Sequence, residues 1–319
     1  MANTVLDFEK PFVELDEIIQ ETQKRITDWN PKVKSELRDL KRKRMKLYRE
    51  IYPKLTPWQK TQLARHPERP YSSDYIAVMC KDSIEIHGDR RFSDDHAIMA
   101  CLTKMDGTSM VVIAQQKGRG TKENIYRNFG MPGPEGYRKA LRAMLLAEKF
   151  GYPILTLIDT PGAYPGIGAE ERGQAEAIAK NLFEMARLKV PIISLVIGEG
   201  GSGGALGIGL ADRIMMLENS IYSVISPEAC AAILWKKKEK AIDVAGSLKM
   251  TAQDLIDLNI IDEVVKEPLG GAHRDYNRAA HIVRRVIRRH LAELQSIPAD
   301  ELVAKRYEKY RGIGVYREA

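Results

Sequence analysis

Residues 192–206 read IISLVIGEGGSGGAL, an apolar strand that runs directly into a glycine-dense segment. Five of the seven residues at 198–204 are glycines, and such a segment is entropically costly to order unless something uses its backbone. A helix of small residues follows, and the first amides of a helix have no partners inside that helix. We therefore predict that the amides of Gly203, Gly204 and Ala205 form a site for an anion or a developing oxyanion.

A second loop of the same kind follows the preceding predicted strand, residues 154–158. It reads DTPGAYPG at 159–166. Ligands bind at the carboxyl ends of strands in open α/β sheets, so the two loops should lie close together. A purely structural explanation stays open for both loops. Glycines such as Gly207 and Gly209 permit close packing of helix on strand, and the prolines of the second loop can simply rigidify a turn.

Three sequence motifs test the chemistry of these loops. DTPG at 159–162 resembles a GTPase switch, but the chain has no G-x-x-x-x-G-K-[ST] loop for nucleotide phosphates, which excludes that class. GGSGG at 200–204 fits a nucleophile elbow, yet none of the six histidines sits in a setting that marks it as the base for Ser202. GEGGSG at 198–203 matches G-x-G-x-x-G only formally, because no acidic residue ends a following strand about twenty residues later.

The segments around the loops predict an α/β domain that begins with a hairpin. Residues 97–105 and 109–116 flank Asp-Gly at 106–107, a pattern typical of two strands joined by a tight turn. The next helix is predicted to begin near Pro134. Its mostly apolar side carries Tyr137, Leu141, Met144, Leu145 and Glu148. The helix after the DTPG loop is expected to bury Ala175, Ile178, Ala179, Leu182, Met185 and Ala186.

The first seventy residues predict a helical arm. Apolar residues recur at heptad-like spacing on both sides of the Asn-Pro break at 30–31, which indicates two amphipathic helices folded back on each other. The first carries Phe12, Leu15, Ile19, Thr22 and Ile26, and the second carries Val33, Leu37, Leu40, Leu47 and Ile51. We expect three units: the arm at 1–70, the α/β domain at 71–275 and a C-terminal helical extension at 276–319.

The composition excludes several classes of protein. The chain has 319 residues, of which 44% are hydrophobic, and its apolar runs are far shorter than the roughly 18 to 20 residues that cross a bilayer. Acidic residues near the N-terminus argue against a secretory signal. Most of the formal charge of +7 lies in residues 32–50, so the body is near neutral and does not suggest a nucleic-acid binder. The basic face of that segment is either solvated or contacts an acidic partner.

The spacing of the cysteines indicates whether the protein works in a reducing or an oxidising compartment. Cys80, Cys101 and Cys230 form no C-x-x-C pair, so this chain alone builds neither a disulfide framework nor a four-cysteine zinc ribbon. A reducing, cytoplasmic location is therefore expected.

Clustered basic residues follow the hairpin. Lys117, Arg119 and Arg127 suit a ligand that bears a phosphate or carboxylate, and simple exposure to solvent is the alternative. His273 and Arg274, which follow two glycines, could likewise contact a ligand or only form a loop.

Several longer strings resemble the family of α subunits of the bacterial acetyl-CoA carboxylase carboxyltransferase. They cover nearly the whole chain and are too long for chance matches. The strings are LDFEKP at 6–11, ARHPERPY at 64–71, RNFGMP at 127–132, residues 159–173, residues 198–206, YSVISPE at 222–228 and EPLGGAHR at 267–274.

This resemblance implies a crotonase-like (ClpP/crotonase) fold, an α/β spiral of ββα units, here with an N-terminal helical arm and a C-terminal helix. It implies a transferase that moves a carboxyl group from carboxybiotin, tethered to a separate biotin carboxyl carrier protein, to acetyl-CoA, forming malonyl-CoA for fatty-acid synthesis. The implied partners are a β subunit with a four-cysteine zinc ribbon, the carrier protein and biotin carboxylase, in an α2β2 carboxyltransferase. No metal is expected in this chain.

Carried over residue by residue, the resemblance makes the three predicted amides an oxyanion hole for the ureido oxygen of biotin. The residues expected to bind the cofactor around it are Gly162, Ala163, Gly200 and Gly201. Negative charge develops on this oxygen when the N-carboxyl bond breaks, and fixed amides stabilise it by roughly 3 to 4 kcal/mol per donor. The freed ureido nitrogen can take the α-proton of the thioester, which fits the absence of a recognisable protein base in the sequence.

Two functions from other classes stay open at this point. A serine peptidase of the ClpP type belongs to the same broad fold group, and Ser202→Ala would abolish a peptidase while leaving a carboxyltransferase active. A non-catalytic scaffold that docks a partner through its arm would tolerate Gly204→Val, whereas we expect this change to block biotin.

Overall fold

A single mixed sheet forms the centre of the protein in a computed structural model that describes residues 5–25 and 30–314. Its strands are β1 (Lys81–Glu85), β2 (Ile98–Met105), β3 (Thr108–Gln115), β4 (Ile154–Thr160), β5 (Ile192–Gly201), β6 (Arg213–Leu217), β7 (Ile221–Ser223) and β8 (Glu263–Val265). The order across the sheet is β1-β2-β3-β4-β5-β6-β8, and β7 pairs with β5. The pairs β1–β2 and β2–β3 are antiparallel, and all pairs from β3–β4 onward are parallel.

Helices cover both faces of the sheet and extend from its ends. They are α1 (Lys10–Lys24), α2 (Pro31–Ile51), α3 (Pro57–Ala64), α4 (Ser72–Met79), α5 (Gly120–Tyr126), α6 (Pro134–Phe150), α7 (Ile167–Glu171), α8 (Gln174–Met185), α9 (Ser202–Leu206), α10 (Pro227–Trp235), α11 (Ala241–Ser247), α12 (Ala252–Asp257), α13 (Tyr276–Gln295) and α14 (Ala299–Arg311).

The central strand β4 is buried along its whole length, as expected of a parallel strand covered on both faces. Ile154 and Ile158 point into a core shared with α6 and α8. Leu155 and Leu157 point into a second core on the opposite face, which α4 and α13 cover. The alternation follows from the two-residue period of a strand.

The predicted hairpin is confirmed. Strands β2 and β3 pair in register from Ile98–Gln115 to Met105–Thr108. Asp106 and Gly107, which join them, both have positive φ, at 51° and 83°. Two consecutive positive φ values are typical of the tight turn whose twist matches a hairpin.

The predicted pair of antiparallel arm helices is also confirmed. Phe12 of α1 stacks on Tyr48 of α2 with ring centroids 4.4 Å apart, and Arg44 pairs with Asp16 at 2.6 Å. The four predicted apolar positions of α1 up to residue 22 are buried, and Ile26 lies outside the described residues. In α2 only Val33 among the predicted positions is buried; those half-buried are Leu37, Leu40, Leu47 and Ile51.

The predicted inward face of α8 is wrong in part. The buried positions are Gln174, Ala177, Asn181 and Met185. Ala175 and Ala179 are exposed instead. Two polar side chains take the inward positions because they bind main-chain carbonyls: the Asn181 amide donates to the carbonyls of Tyr137 and Gly207 at 3.1 and 2.9 Å.

On α6, Leu145 is 43% exposed, so its predicted place on the inward side is wrong as well. The other predicted apolar residues of that face, Tyr137, Leu141 and Met144, are buried.

None of the helices in the described part of the chain combines the length and the apolar character that a bilayer span requires.

Candidate active site

The glycine-dense segment is not a loop, as the sequence suggested, but the end of a strand and the start of a helix. Strand β5 continues to Gly201, because Gly200 and Gly201 pair with Tyr222 and Ser223 of β7. The short helix α9 then begins at Ser202, whose φ is 52°. The first part of β5 pairs with β6 and its last three residues pair with β7. Strand β5 therefore extends further toward the carboxyl edge of the sheet than its neighbour β6 does.

The main chains of the two glycine-rich segments touch. A Cβ at Gly204 would lie 2.4 Å from the nitrogen of Ala163, and a Cβ at Gly201 would lie 2.2 Å from the carbonyl oxygen of Pro161. Contacts this short leave room only for glycine. Close packing therefore explains these two glycines, and it brings the DTPG segment and the start of α9 together as predicted.

A cavity of about 430 Å³ opens beside this contact. Its lining includes the predicted residues Gly162, Ala163, Gly200, Gly201 and Gly203. Gly204 and Ala205 are buried and are not part of the lining. A Cβ at Gly203 would meet only the tip of Ile178, at 3.8 Å, so this position faces open space.

Ser202 also lines the cavity, and its positive φ is the kind of strain that accompanies functional turns. Among the described residues that line the cavity there is no histidine or lysine that could act as its base. The titratable lining residues are Glu170 and Glu199. This lining gives no support to the serine-peptidase alternative, which needs a base within hydrogen-bond reach of the nucleophile.

Lys117 lies in an ion-pair network behind the cavity. Its ammonium donates to Asp159 at 2.7 Å and lies 3.8 Å from Glu199, which also pairs with Arg65 at 2.6 Å. Burial alone would lower the pKa of Lys117, but the two carboxylates raise it above its usual value. Lys117 is thus a half-buried cation whose charge the protein itself neutralises, and it does not line the cavity.

Arg119 and Arg127 also have partners within the protein. Arg119 donates to Asp74 through both of its terminal nitrogens, at 3.2 and 2.6 Å. Arg127 donates to Glu123 at 3.1 Å and to the carbonyl of His96 at 2.9 Å. Neither arginine lines the cavity, and of the three basic residues Lys117 is the one that contacts the glycine-rich segments, through Asp159 and Glu199. Their role as ligand contacts stays a prediction.

His273 and Arg274 are part of a buried cluster that fastens the arm to the body. Both donate to Glu9, at 2.9 and 3.0 Å, and Tyr52 donates to the same carboxylate at 3.0 Å. Burial alone would raise the pKa of Glu9, but His273 and Arg274 hold it at about 2. The cluster is a tether between distant parts of the chain and not part of the cavity.

The same cluster is the one arrangement of ligating side chains found in the described residues that could hold a metal ion. Glu9, His66 and His273 each offer a ligand atom, and these atoms lie within 4.8 Å of one another. Arg274 and Tyr52 already satisfy the carboxylate, however, and a guanidinium at this distance repels a cation. The donor set therefore fits a structural ion pair better than a metal site.

Two buried residues at the site were missed by the sequence reasoning. Gln115 donates to the carbonyl of Gly204 at 2.7 Å, and Tyr137 donates to the same oxygen at 3.0 Å. Both side chains are fully buried. A glutamine that ends an otherwise apolar strand was the available signal, because a buried polar group requires a partner.

The chain is similar in sequence to a known protein family over nearly its whole length. Residues 5–314 match the family model described as acetyl co-enzyme A carboxylase carboxyltransferase-like. The chain is 54% identical over 313 residues to the acetyl-coenzyme A carboxylase carboxyl transferase subunit alpha of Methylococcus capsulatus, with 98% of each chain covered. It is 55% identical over 313 residues to the subunit of the same name from Geobacter metallireducens, again with 98% of each covered.

Among solved structures, the fold is similar to a transcarboxylase 12S structure with methylmalonyl-coenzyme A bound. The TM-score is 0.56 at 19% identity, over 79% of this chain and 43% of that one, so this chain spans less than half of the 12S chain. A Pseudomonas malonate decarboxylase hetero-dimer matches with a TM-score of 0.54 at 18% identity, over 67% of this chain and 90% of that chain. These likenesses show the fold, which is crotonase-like, as the sequence predicted.

Proposed function

The chain belongs to the acetyl-CoA carboxylase carboxyltransferase family as an alpha subunit, and from this premise we propose that it moves a carboxyl group from carboxybiotin to acetyl-CoA, forming malonyl-CoA. The biotin would be tethered to a separate carrier protein. The reaction would serve fatty-acid synthesis in the cytoplasm.

The observation that carries this proposal is the cavity wall made of main chain. Gly203, which has no side chain and faces open space, lines the cavity together with Gly162 and Ala163. A volume of about 430 Å³ lies within the usual range for small-molecule sites. Because Gly162 and Gly203 have no side chains and Ala163 has only a methyl group, a bicyclic ring can approach the amides closely, so the residues present fit a biotin head group.

The part assigned to this chain is to bind and to stabilise charge. When bound, biotin supplies a ureido nitrogen that carries the carboxyl group and afterwards can accept the α-proton of the thioester. We propose that the main-chain N–H groups of residues 203–205 donate to the ureido oxygen, where negative charge accumulates. Gly203 lines the cavity itself, and Gly204 and Ala205 are buried in the same short helix directly behind it. Because these groups are fixed before the reaction, they need little reorganisation, which is the main source of such stabilisation.

One of the two titratable residues that line the cavity, Glu199, is engaged by cations of the protein itself. Glu199 accepts two hydrogen bonds from Arg65, at 2.9 and 2.6 Å, and lies 3.8 Å from Lys117. This engagement within the protein supports the proposal that biotin, and not Glu199, takes the proton.

The partner proposed to complete the site is a β subunit with a zinc ribbon of four cysteines. The relatives named above are themselves alpha subunits, and an alpha subunit implies a beta subunit. We propose an α2β2 assembly that meets the biotin carboxyl carrier protein and biotin carboxylase. No metal is proposed in this chain.

The test is co-expression with the zinc-ribbon subunit, followed by an assay of malonyl-CoA decarboxylation with free biotin as the carboxyl acceptor. We expect turnover by the complex and none by this chain alone. Gly203→Val should remove turnover while the complex still assembles, since the added methyl groups would occupy the cavity. The matched control is Gly246→Ala, where a Cβ meets nothing within 4 Å.

Full turnover by the Gly203→Val complex would contradict the proposed site. The Ser202→Ala variant should keep most of the activity. Loss of all activity in Ser202→Ala would favour a serine nucleophile. The structure makes Gly204→Val a poor test, because its Cβ would collide with the main chain of residues 162–163 before reaching any ligand.

A further inference from the structure

The carbonyl of Gly204 is withdrawn from the hydrogen-bond ladder of its own helix. In an α-helix it would accept from the N–H of Ile208, but that N–H bonds to the carbonyl of Ala205 at 3.3 Å. The Gly204 carbonyl instead accepts from the side-chain amide of Gln115 at 2.7 Å and from the hydroxyl of Tyr137 at 3.0 Å. Two side chains from other elements therefore replace one helical bond.

Gln115 also binds the first residue of the second glycine-rich segment, Asp159. Its side-chain oxygen accepts from the N–H of Asp159 at 3.2 Å, at the end of β4. One fully buried side chain thus joins the end of β4 to the first turn of α9. Both ends of the glutamine amide are used, so its orientation is fixed by its partners.

Tyr137 can act only as a donor toward this carbonyl. Its ring is fully buried, and burial raises the pKa of Tyr137 far above its usual value, so the hydroxyl keeps its proton. The main chain beside it is held as well, because Asn181 donates to the carbonyls of both Tyr137 and Gly207. Helix α6 therefore contacts the α9 region through Tyr137, and helix α8 contacts it through Asn181.

We propose that Gln115 and Tyr137 are positioning residues that hold the Gly204–Ala205 peptide group in place for the carboxyl transfer. The peptide group is planar and trans, so fixing its carbonyl also fixes the direction of the N–H at the other end. On the opposite side, Gly204 rests against the main chain of Gly162 and Ala163, which prevents movement that way. The turn that carries the proposed oxyanion amides is therefore clamped from both sides.

This inference rests on the proposed function and assigns it two residues that do not touch the ligand. Hydrogen bonds to a peptide carbonyl also polarise the group, which strengthens its N–H as a donor. Electrostatic stabilisation depends on donors that are already in position, so loosening this clamp should lower turnover more than substrate binding.

The experiment compares Tyr137→Phe and Gln115→Met in the complete complex with the β subunit. Tyr137→Phe removes one donor and keeps the ring, and Gln115→Met removes both bonds with little change in volume. We expect kcat to fall roughly tenfold or more for each variant, while KM for malonyl-CoA changes less than about twofold. The double variant should lose less than the product of the two single losses, because both residues hold one carbonyl.

The matched control is Thr156→Val, which removes a buried hydrogen bond of 2.5 Å to Ser194 in the same sheet but away from the cavity. We expect it to lower the midpoint of denaturant unfolding about as much as Tyr137→Phe and to leave kcat unchanged. If Tyr137→Phe and Gln115→Met behave like this control, with kcat retained, the positioning role is wrong. An inactive wild-type complex would instead refute the proposed function.

Discussion

At the scale of single residues, adjacent glycines of α9 differ in what a side chain would meet. A Cβ at Gly204 would lie 2.4 Å from a main-chain nitrogen, whereas a Cβ at Gly203 has no neighbour closer than 3.8 Å. Gly204→Ala should therefore lower the free energy of unfolding by about 1 to 3 kcal/mol, since two backbones must separate. Gly203→Ala should leave it unchanged or raise it by up to about 1 kcal/mol, because alanine favours a helix.

Urea unfolding of the two variants checks this prediction, with Gly246→Ala as the reference for an unhindered glycine. Equal stability of Gly203→Ala and Gly204→Ala would show that the two glycine-rich segments do not touch as described.

A second prediction at this scale concerns pH and Glu9. The carboxylate titrates with a pKa of about 2 in the folded chain instead of its usual 4.5, so its contribution to stability is complete above pH 4.5 and is lost as the pH falls toward 2. Glu9→Gln should lower the free energy of unfolding by about 2 kcal/mol at pH 7, since Arg274 and His273 lose a charged acceptor. The deficit should shrink when both proteins are compared at about pH 3, between the folded and unfolded pKa values.

Denaturant unfolding of wild type and Glu9→Gln at the two pH values tests this. Glu14→Gln is the control, because Glu14 is exposed and should show no such deficit. A deficit that is the same at both pH values would mean that Glu9 is not held ionised by its partners.

The sequence identified five of the residues that line the cavity but not the reasons for them. Runs of glycine indicated that main chain would be used, and Gly162, Gly200 and Gly203 do line the cavity. Gln115 could not be found in this way, because its contact with Gly204 joins residues 89 positions apart and depends on the sheet order. The charge of Lys117 suggested a ligand, and only the fold shows that Asp159 already neutralises it.

At the scale of whole elements, apolar periodicity predicted the hairpin and α6 well but the inward face of α8 only in part. The pattern assumes that apolar residues face inward, yet the inward face of α8 carries Gln174 and Asn181. These amides are buried because each donates to a main-chain carbonyl outside α8, Gln174 to that of Pro132 and Asn181 to that of Tyr137. A rule based on hydrophobicity cannot find such positions, since the partners lie on other elements.

The last helix, α14, is fastened by one buried arginine, which allows a prediction about this element. Arg306 binds Asp212 with two hydrogen bonds of 2.8 Å and also donates to the carbonyls of Met185, Leu188 and Val190. Arg306→Lys should cost about 3 kcal/mol or more, because an ammonium cannot reproduce this planar set of bonds.

Thermal and urea unfolding measure that loss, with the exposed variant Lys305→Arg as the control. A change below about 0.5 kcal/mol in Arg306→Lys would show that α14 is held mainly by its apolar contacts.

At the scale of the whole molecule, an exposed apolar helix end lies next to the cavity. Helix α10 begins at the cavity, where Pro227 and Ala229 line it. It ends in Ile233, Leu234 and Trp235, which are 71%, 63% and 45% exposed. Large apolar side chains grouped in this way are typical of a surface that another protein covers, and we expect the β subunit to cover this one.

Trp235→Asp should therefore weaken assembly with the β subunit by roughly thirtyfold or more in Kd, without unfolding the chain. Analytical ultracentrifugation of the mixed subunits measures this. Phe150→Asp is the control, because Phe150 is 56% exposed at the far end of α6, away from the carboxyl ends of the strands. Similar losses in both variants would place the subunit contact elsewhere.

The tether at Glu9 also has a consequence for how the chain is made. The residues it binds, His273 and Arg274, come 264 and 265 positions later. At the usual pace of roughly 5 to 20 residues per second, a ribosome needs on the order of ten to fifty seconds to synthesise that interval. Glu9 therefore has neither of these two partners until residues 273–274 have left the ribosome, so the arm makes this contact with the body late in synthesis.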